Sequence, residues 1–260
     1  MYRLPGDVVA RVGRPGTEVV ARREIEVSLW LNASGLPATQ AVPEVRQPTM
    51  VGDMPVTWWR LLPEHRPASP SELGSVLRAL HALPVPAAIG LPIADPFEGL
   101  GERVEDARVL GLDDQNWLAR HLDQLRSNYD RLALESPRHV IHGDAWQGNV
   151  AVPASGTPIL LDLEDVAIGH PDWDLVQLAV DYADFARLDE QDYRGFVRAY
   201  GGYDITGTAS FRVWADIQEL RWTCFAISKA SDGPTAASEA RHRIDCLRGK
   251  VPRPWTWNAF

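Results

Sequence analysis

Apolar positions in the first part of the chain alternate with short polar turns. "YRLP-GD-VVARV" predicts two short strands joined by a turn at residues 5–7. Thr17 is placed to cap a helix that runs to about Ser34, and Gly35 follows as the residue that ends it. The pattern therefore predicts a small sheet with one helix packed against it.

Two further strands are expected around residues 44–47 and 55–62, with "VGDM" as the turn between them. The composition then changes, because "PEHRPASP" is polar and rich in proline, which is typical of a linker. We therefore divide the chain into an N-terminal lobe, residues 1–64, and a C-terminal lobe, residues 65–260.

The rest of the pattern is mainly helical. Residues 69–72, "SPSE", predict a capping box with proline at the first helical position. Helices are predicted over residues 71–83, about 114–134 and, with breaks at "YGGYD" and "SDGPT", about 173–246. Short strands are expected around Val140 and residues 159–161. A β-rich first lobe and a larger helical second lobe make the fold class α+β.

Composition narrows the classes of function. A hydrophobic fraction of 45% supports a sizeable core, and a net charge of -9 argues against general nucleic-acid binding. The sequence contains no apolar run of about 18 residues, so no membrane span is expected. The N-terminus also lacks the apolar stretch of a signal peptide. Cys224 and Cys246 form no CxxC pair, so the cytoplasm is the expected location. We expect a monomer or a homodimer.

Candidate chemistry is concentrated in "HGDAWQGN", residues 142–149. This segment places the carboxylate of Asp144 five residues before the amide of Asn149, and a later apolar run ends at Asp162, followed by Glu164. Hard oxygen ligands of this kind suit Mg²⁺, which takes one or two carboxylates and keeps several waters. An acid that does not bind the metal is then able to orient a hydroxyl group and take its proton.

"HGDAWQGN" followed by "LLDLED" resembles the aminoglycoside phosphotransferase family, which has a protein-kinase-like fold. Its spacing matches the kinase catalytic loop, H-R-D-x-x-x-x-N. The resemblance implies that Asp144 is the catalytic base and that Asn149 and Asp162 bind metal. His142 would order the loop, and Asp174 in "HPDWDL" would support it.

A kinase-like site also needs a cation on a strand, paired with a helical glutamate, to hold nucleotide phosphates. Arg11 is the candidate, since the chain has no lysine before Lys229. Glu24 lies on the same helical stripe as Val27 and Leu31, and a carboxylate on an inward face needs a cationic partner. We therefore predict an Arg11–Glu24 pair, in which the guanidinium is suited to bind phosphate.

The segment "PVTWWRLLPE" resembles the fifth strand and hinge of a kinase. Backbone groups of Arg60 and Leu61 would then meet the adenine edge, with Trp59 as a neighbour. The glycine-rich loop of kinases is missing, because the sequence starts at Tyr2 almost directly with what resembles the second strand. "GRPG" follows the strand of Arg11 and is not that loop, so either the N-terminal lobe is abbreviated or the true start lies upstream.

Some alternatives stay open at this point. Glu164 is either a second metal ligand or a solvated neighbour of Asp162. Trp146, inside the catalytic loop, is suited either to stack on a substrate ring or simply to pack. A zinc site of His139, His142 and Asp144 is disfavoured, because the histidines lack the helical spacing that brings two to one face.

The resemblance implies a small-molecule O-phosphotransferase that depends on Mg²⁺ and uses ATP or GTP. Its acceptor would be a hydroxyl group of an aminoglycoside-like antibiotic or of another metabolite alcohol, with antibiotic resistance as the associated role. The alternative is a pseudokinase that binds nucleotide without transferring phosphate, which the missing glycine-rich loop motivates.

Overall fold

The structure, a computed structural model, describes residues 1–105, 107, 110–132 and 138–258. The chain divides into two compact units. The first comprises Met1–Ala94, Pro137–Asp174 and Arg194–Tyr203, and the second comprises Asp95–Ser136, Leu175–Tyr193 and Asp204–Phe260. The lobe boundary predicted at residues 64 and 65 stays a prediction. Among the described residues, no helix combines the length and apolar character that crossing a membrane requires.

The first unit begins with an antiparallel sheet of four strands in the order β1-β2-β4-β3. These strands are β1 Tyr2–Leu4, β2 Val8–Val12, β3 Thr49–Val51 and β4 Met54–Arg60. The predicted strand at residues 44–47 is wrong, because the strand in this part of the chain is β3, which starts at Thr49. The cause is the tight turn at Gly52, whose φ of +65° sets the register of β3 against β4.

Helix α1, Glu18–Ala33, follows β2 directly. It ends as predicted, with Gly35 at a φ of +83°. The predicted cap at Thr17 is wrong in its chemistry, because the hydroxyl donates to the carbonyl of Arg14 at 2.7 Å and caps no helical N–H. The buried face of α1 consists of Ala21, Glu24, Ile25, Val27, Ser28 and Leu31.

Two small sheets flank the segment of residues 142–149. In one, the strands β5 His65–Pro67, β7 Val150–Pro153 and β8 Ile159–Leu160 are antiparallel neighbours in that order. In the other, β6 His139–Ile141 pairs with β9 Ala167–Gly169. Strands β6 and β7 therefore hold the two ends of the segment, and β8 leads directly to Asp162.

Helices make up most of the remaining chain, as expected. They are α2 Pro70–His81, α3 Leu100–Glu105, α4 Leu112–Asp130, α5 Asp172–Ala183, α6 Glu190–Tyr200, α7 Phe211–Lys229 and α8 Pro234–Leu247. The predicted helix over residues 114–134 corresponds to α4, which ends at Asp130, and residues 133 and 134 lie outside the described residues. The predicted α+β class is confirmed.

Helix α2 starts with the predicted capping box. The backbone N–H of Glu72 donates to Ser69 Oγ at 3.3 Å, and Ser69 N–H donates to the Glu72 carboxylate at 2.7 Å. Arg66 adds two hydrogen bonds of 2.7 Å to the same carboxylate. These donors hold the pKa of Glu72 down at about 2, the Arg66 guanidinium making the largest contribution.

Glu72→Gln should make the stability of the chain less dependent on pH. The folded-state pKa lies below the ordinary value of 4.5, so the wild-type contribution is complete above pH 4.5 and is lost as pH falls toward 2. At pH 7 the variant should be less stable by about 0.2–1 kcal/mol, the range for a solvent-exposed pair. Urea denaturation of both proteins across this pH range measures the difference.

The matched control is Glu64→Gln, which changes an exposed carboxylate just before β5. It should leave the urea midpoint unchanged at every pH. A gap between wild type and Glu72→Gln that stays constant down to pH 2.5 would show that the carboxylate contributes nothing through its ionised form.

Candidate active site

A glycine allows the chain to turn sharply where β6 ends. Gly143 has a φ of +88°, a region that side chains disfavour. A Cβ atom at this position would lie 2.4 Å from the backbone oxygen of Asp165, closer than packing permits. The loop of residues 142–149, which we call the catalytic loop, therefore lies directly against the segment that follows Asp162.

Asp174 holds the start of the catalytic loop through backbone amides. Its carboxylate accepts the N–H of His142 at 2.7 Å and the N–H of Gly143 at 2.9 Å. The residue is 1% exposed. Burial acts to raise its pKa, but the contacts with His81 and with the His142 amide bring the pKa below its ordinary value. An ionised carboxylate at this position fits the supporting role that the resemblance implies.

His81 is a part of this arrangement that the sequence did not reveal. Its Nε2 lies 2.9 Å from the carboxylate of Asp174, and its Nδ1 lies 2.9 Å from the hydroxyl oxygen of Tyr200. One signal for such a partner was available in the sequence. His81 follows Leu77 and Leu80 on the buried stripe of α2, where a polar group needs a partner.

His142 orders the catalytic loop with both ring nitrogens. Nε2 lies 2.8 Å from the carbonyl oxygen of Leu161, and Nδ1 accepts the N–H of Asp144 at 3.3 Å. Because a carbonyl accepts and an amide N–H donates, the ring hydrogen is assigned to Nε2. The disfavoured zinc site gains no support, since the described residues contain no cluster of three histidine, cysteine or acidic side chains suited to a metal.

The carboxylate and the amide of the loop are joined to each other. Asn149 Nδ2 donates to the backbone oxygen of Asp144 at 2.9 Å and to its carboxylate at 3.2 Å. These two acceptors fix the orientation of the amide, so Oδ1 is the atom that Asn149 offers to a cation. Asp144 is exposed, whereas Asn149 is only 8% exposed. The loop thus holds the Asp144 carboxylate in place and exposes it to solvent.

Asp162 stands beside this loop in an unusual backbone conformation. Its φ of 51° and ψ of 64° are left-handed, which aspartate tolerates better than most residues. The preceding Leu161 donates its N–H to the backbone oxygen of Asn149 at 2.8 Å, so the two segments are hydrogen-bonded neighbours. The exposed Asp162 carboxylate and the following buried Leu163 show that the turn directs the acid outward.

The donor set of Asn149 and Asp162 fits Mg²⁺. One amide oxygen and one carboxylate are hard ligands, and this small number matches an ion that keeps waters and binds substrate phosphates. Among the described residues, none donates a hydrogen bond to Asn149 Oδ1 or to the Asp162 carboxylate. Metal binding by these two residues stays a prediction.

Arg11 on β2 contacts two carboxylates. Nη1 donates to Glu24 at 2.7 Å, which is the predicted pair, and Nη2 donates to Glu164 at 2.7 Å. The side chain of Glu24 is 6% exposed and that of Glu164 is 44% exposed. Burial raises the pKa of Glu24 to about 7, with a further contribution from Glu164 and Asp162 that Arg11 opposes. Glu164, left open between a metal ligand and a solvated neighbour, is an ion-pair partner of Arg11.

The expected adenine contacts have other partners in this structure. Trp59 is 6% exposed and packs in the core with Ile25 and Ala41, and its place beside a base stays a prediction. The backbone N–H of Arg60 donates to Gln40 at 2.8 Å, and that of Leu61 donates to Asp7 at 2.7 Å. Burial alternates along β4, and this period-two pattern places Trp59 on the inward face of the strand.

Trp146 projects from the catalytic loop, two residues after Asp144. Its ring lies so close to Gly148 that a Cβ atom there would come within 2.2 Å of the ring. The residue is nevertheless 45% exposed. The indole therefore packs on the loop and also presents surface to solvent, so both of its proposed roles remain open.

The connection between β1 and β2 is a short turn at residues 5–7, with Gly6 at a φ of +78°. "GRPG" follows β2 and leads into α1, and its Gly13 N–H donates to Pro55 at 2.7 Å. Within the described residues, no glycine-rich hairpin precedes the strand of Arg11. The abbreviated N-terminal lobe stays a prediction.

Comparisons with solved structures place this architecture among kinases. An amicoumacin kinase, hAmiN, in complex with AMP-PNP, Ca2+ and Ami, has a TM-score of 0.72 at 13% identity, covering 94% of this chain and 82% of that chain. A choline/ethanolamine kinase family protein from Mesorhizobium loti has a TM-score of 0.64 at 19% identity, covering 96% and 84%. At such identities the likeness concerns the fold, and the protein-kinase-like fold is confirmed.

A third structure of this kind is an aminoglycoside phosphotransferase from Streptomyces rimosus. It has a TM-score of 0.60 at 19% identity, covering 83% of this chain and 86% of that chain. Sequence comparison with curated proteins finds no match. The model of the phosphotransferase enzyme family matches residues 2–214, which is most of the sequence. The chain therefore belongs to the phosphotransferase enzyme family.

Proposed function

We propose that the protein transfers the γ-phosphate of ATP or GTP to a hydroxyl group of a small molecule, with Mg²⁺ as the metal. One observation carries this proposal. An exposed carboxylate, Asp144, lies on a loop held by Asp174, and the same loop carries Asn149 and runs beside Asp162. This arrangement supports the proposal of a base next to two oxygen ligands for a cation.

Asp144 is the base in this proposal. The acceptor hydroxyl donates its proton to the carboxylate while its oxygen attacks the γ-phosphorus and the bond to the nucleoside diphosphate breaks. The amide of Asn149 donates to the same carboxylate at 3.2 Å and limits its rotation. Most of the catalytic effect comes from this positioning and from neutralisation of phosphate charge.

Phosphate binding is assigned to two groups of residues, the proposed metal ligands and Arg11. Asn149 Oδ1 and the Asp162 carboxylate would hold Mg²⁺, which supplies positive charge next to the phosphates. Arg11 would add hydrogen bonds from its guanidinium, held by the buried Glu24. An ATP analogue and a divalent cation are bound by the similarly folded amicoumacin kinase, which supports this assignment by analogy.

The acceptor is proposed only as a class. An aminoglycoside-like antibiotic or another metabolite alcohol fits the names of the similar structures, which include an aminoglycoside phosphotransferase and a choline/ethanolamine kinase family protein. Trp146, exposed beside Asp144, is the side chain best placed to contact it. Resistance to an antibiotic is one physiological role that such an activity would support.

Asp144→Asn should abolish most of the transfer while the nucleotide still binds. An amide of the same shape keeps the fold but takes no proton, so kcat should fall by about 10²- to 10⁴-fold. The measurement is nucleotide turnover with a panel of hydroxylated antibiotics and metabolites as acceptors. Asp53→Asn, at the exposed turn between β3 and β4, is the matched control and should keep wild-type turnover. An Asp144→Asn enzyme that turns over at the wild-type rate would refute the role of this carboxylate.

Asp162→Asn should remove the dependence of nucleotide binding on Mg²⁺. The amide is a weaker ligand for a hard cation than the carboxylate. Calorimetric titration with ATP or GTP, in Mg²⁺ and in EDTA, should give equal and weak binding for the variant. Asp144→Asn serves as the control and should keep the Mg²⁺-dependent gain. Tight Mg·ATP binding by Asp162→Asn would exclude Asp162 as a metal ligand.

A further inference from the structure

Arg11 is shared by two acids that differ in their surroundings. Its Nη1 donates to Glu24 and its Nη2 donates to Glu164, each at 2.7 Å. The chain thus brings a glutamate that lies two residues after Asp162 onto the same guanidinium that is proposed to bind phosphate. Both terminal nitrogens of the guanidinium are thus engaged by carboxylates of the chain itself.

Negative charge exceeds positive charge around this guanidinium. Glu24, Glu164 and Asp162 all act on Arg11, and their attraction raises its pKa although burial opposes this. The nearby Arg23 donates to the backbone oxygen of Glu164 at 3.2 Å. A nucleotide phosphate that approaches Arg11 therefore meets acidic groups that repel it, and it must compete for the same donors.

The two ion pairs are not equally easy to break. Glu24 is 6% exposed on the inward stripe of α1, so loss of Arg11 would leave its buried carboxyl group without this hydrogen bond. Glu164 is 44% exposed, so water can solvate its carboxylate once the contact breaks. Glu164 is thus the acid that can leave Arg11 at low cost, and Glu24 is the one that stays.

The backbone of Glu164 does not need to move in such an exchange. The hydrogen bond from Arg23 to its carbonyl oxygen holds the segment after Asp162 next to α1. Rotation of the side chain alone frees Nη2, and a phosphate oxygen is the same kind of acceptor as a carboxylate oxygen. A phosphate oxygen can therefore replace the Glu164 carboxylate as the acceptor of Nη2 without rearrangement of the fold.

We propose that Glu164 is an internal competitor for nucleotide phosphate. Its carboxylate occupies Nη2 of Arg11 in the nucleotide-free protein and yields that donor when a phosphate binds, while Glu24 keeps Nη1. This inference rests on the proposed nucleotide-binding function of the same site. It gives Glu164 a positioning role through Arg11 and predicts that this residue weakens the binding of nucleotide in the absence of metal.

Glu164→Gln tests the competition directly. The amide is neutral and holds the guanidinium less strongly, so ATP should bind more tightly in EDTA, by about fivefold, a typical coupling between sites. Calorimetric titration of wild type and variant measures the two dissociation constants. Unchanged or weaker binding would overturn the proposal and would make Glu164 a permanent support of Arg11.

A double-mutant cycle separates competition from the simple removal of a negative charge. In an Arg11→Gln background, Glu164→Gln should change the affinity by less than about twofold, because the contested donor is absent. An equal gain in both backgrounds would overturn the proposal. Arg11→Lys is the second background, in case Arg11→Gln does not fold, since its ammonium can pair with Glu24 and lacks the second nitrogen. Circular dichroism verifies the fold of each variant.

The same titrations distinguish this inference from the proposed function. Wild type that binds neither ATP nor GTP, with or without Mg²⁺, would refute the function and the inference together. Wild type that binds Mg·ATP while Glu164→Gln shows no gain in EDTA would refute the inference alone.

Discussion

The carboxylate of Asp174 is the group on which the geometry of the catalytic loop depends. It accepts the N–H groups of His142 and Gly143 and also contacts His81, all within 2.9 Å. Buried and ionised, it binds the loop backbone through charge-assisted hydrogen bonds, which are stronger than neutral ones. Because an unpaired buried charge is costly, these contacts form together or not at all.

The reactive groups depend on this anchor in turn. Gly143 takes the sharp turn, His142 reaches the carbonyl of Leu161, and Leu161 donates to Asn149. The strand that ends at Asp162 is thereby attached to the loop that carries Asp144. Asp144, Asn149 and Asp162, the residues proposed as base and metal ligands, are thus positioned by hydrogen bonds of the backbone around them.

A second set of contacts surrounds Arg11, the residue that is proposed to bind phosphate. Arg11 has to remain a cation among acidic groups, and the buried Glu24 fixes its position. Glu164 contacts the same guanidinium from the side of Asp162. In the proposal, this half-exposed glutamate links Arg11 to the segment of Asp162 and weakens the binding of nucleotide that arrives without metal.

The sequence predicts those features that are set locally. The spacing of Asp144 and Asn149, the helical stripe that places Glu24 inward and the apolar run before Asp162 are all short-range patterns, and each is found as expected. The small sheet and the helical remainder also follow from periodicity.

Long-range partners were not predictable in this way. His81 contacts Asp174 across 93 residues, and Arg11 contacts Glu164 across 153 residues, so no spacing rule connects them. The wrong position of β3 has another cause, since a tight turn at Gly52 outweighed the apparent pattern of residues 44–47. The two adjacent tryptophans of β4 could not be told apart in this way, since only the folded strand shows that Trp59 is on its buried side.

Transfer of labelled γ-phosphate tests the central claim most directly. The protein is incubated with γ-labelled ATP or GTP, Mg²⁺ and a panel of hydroxylated antibiotics and metabolites, and the products are separated and identified. The account predicts a labelled phosphate ester of at least one acceptor, formed only when Mg²⁺ is present. Mg²⁺-dependent nucleotide binding without any labelled ester across the panel would contradict it and would indicate a protein that binds nucleotide without transferring phosphate.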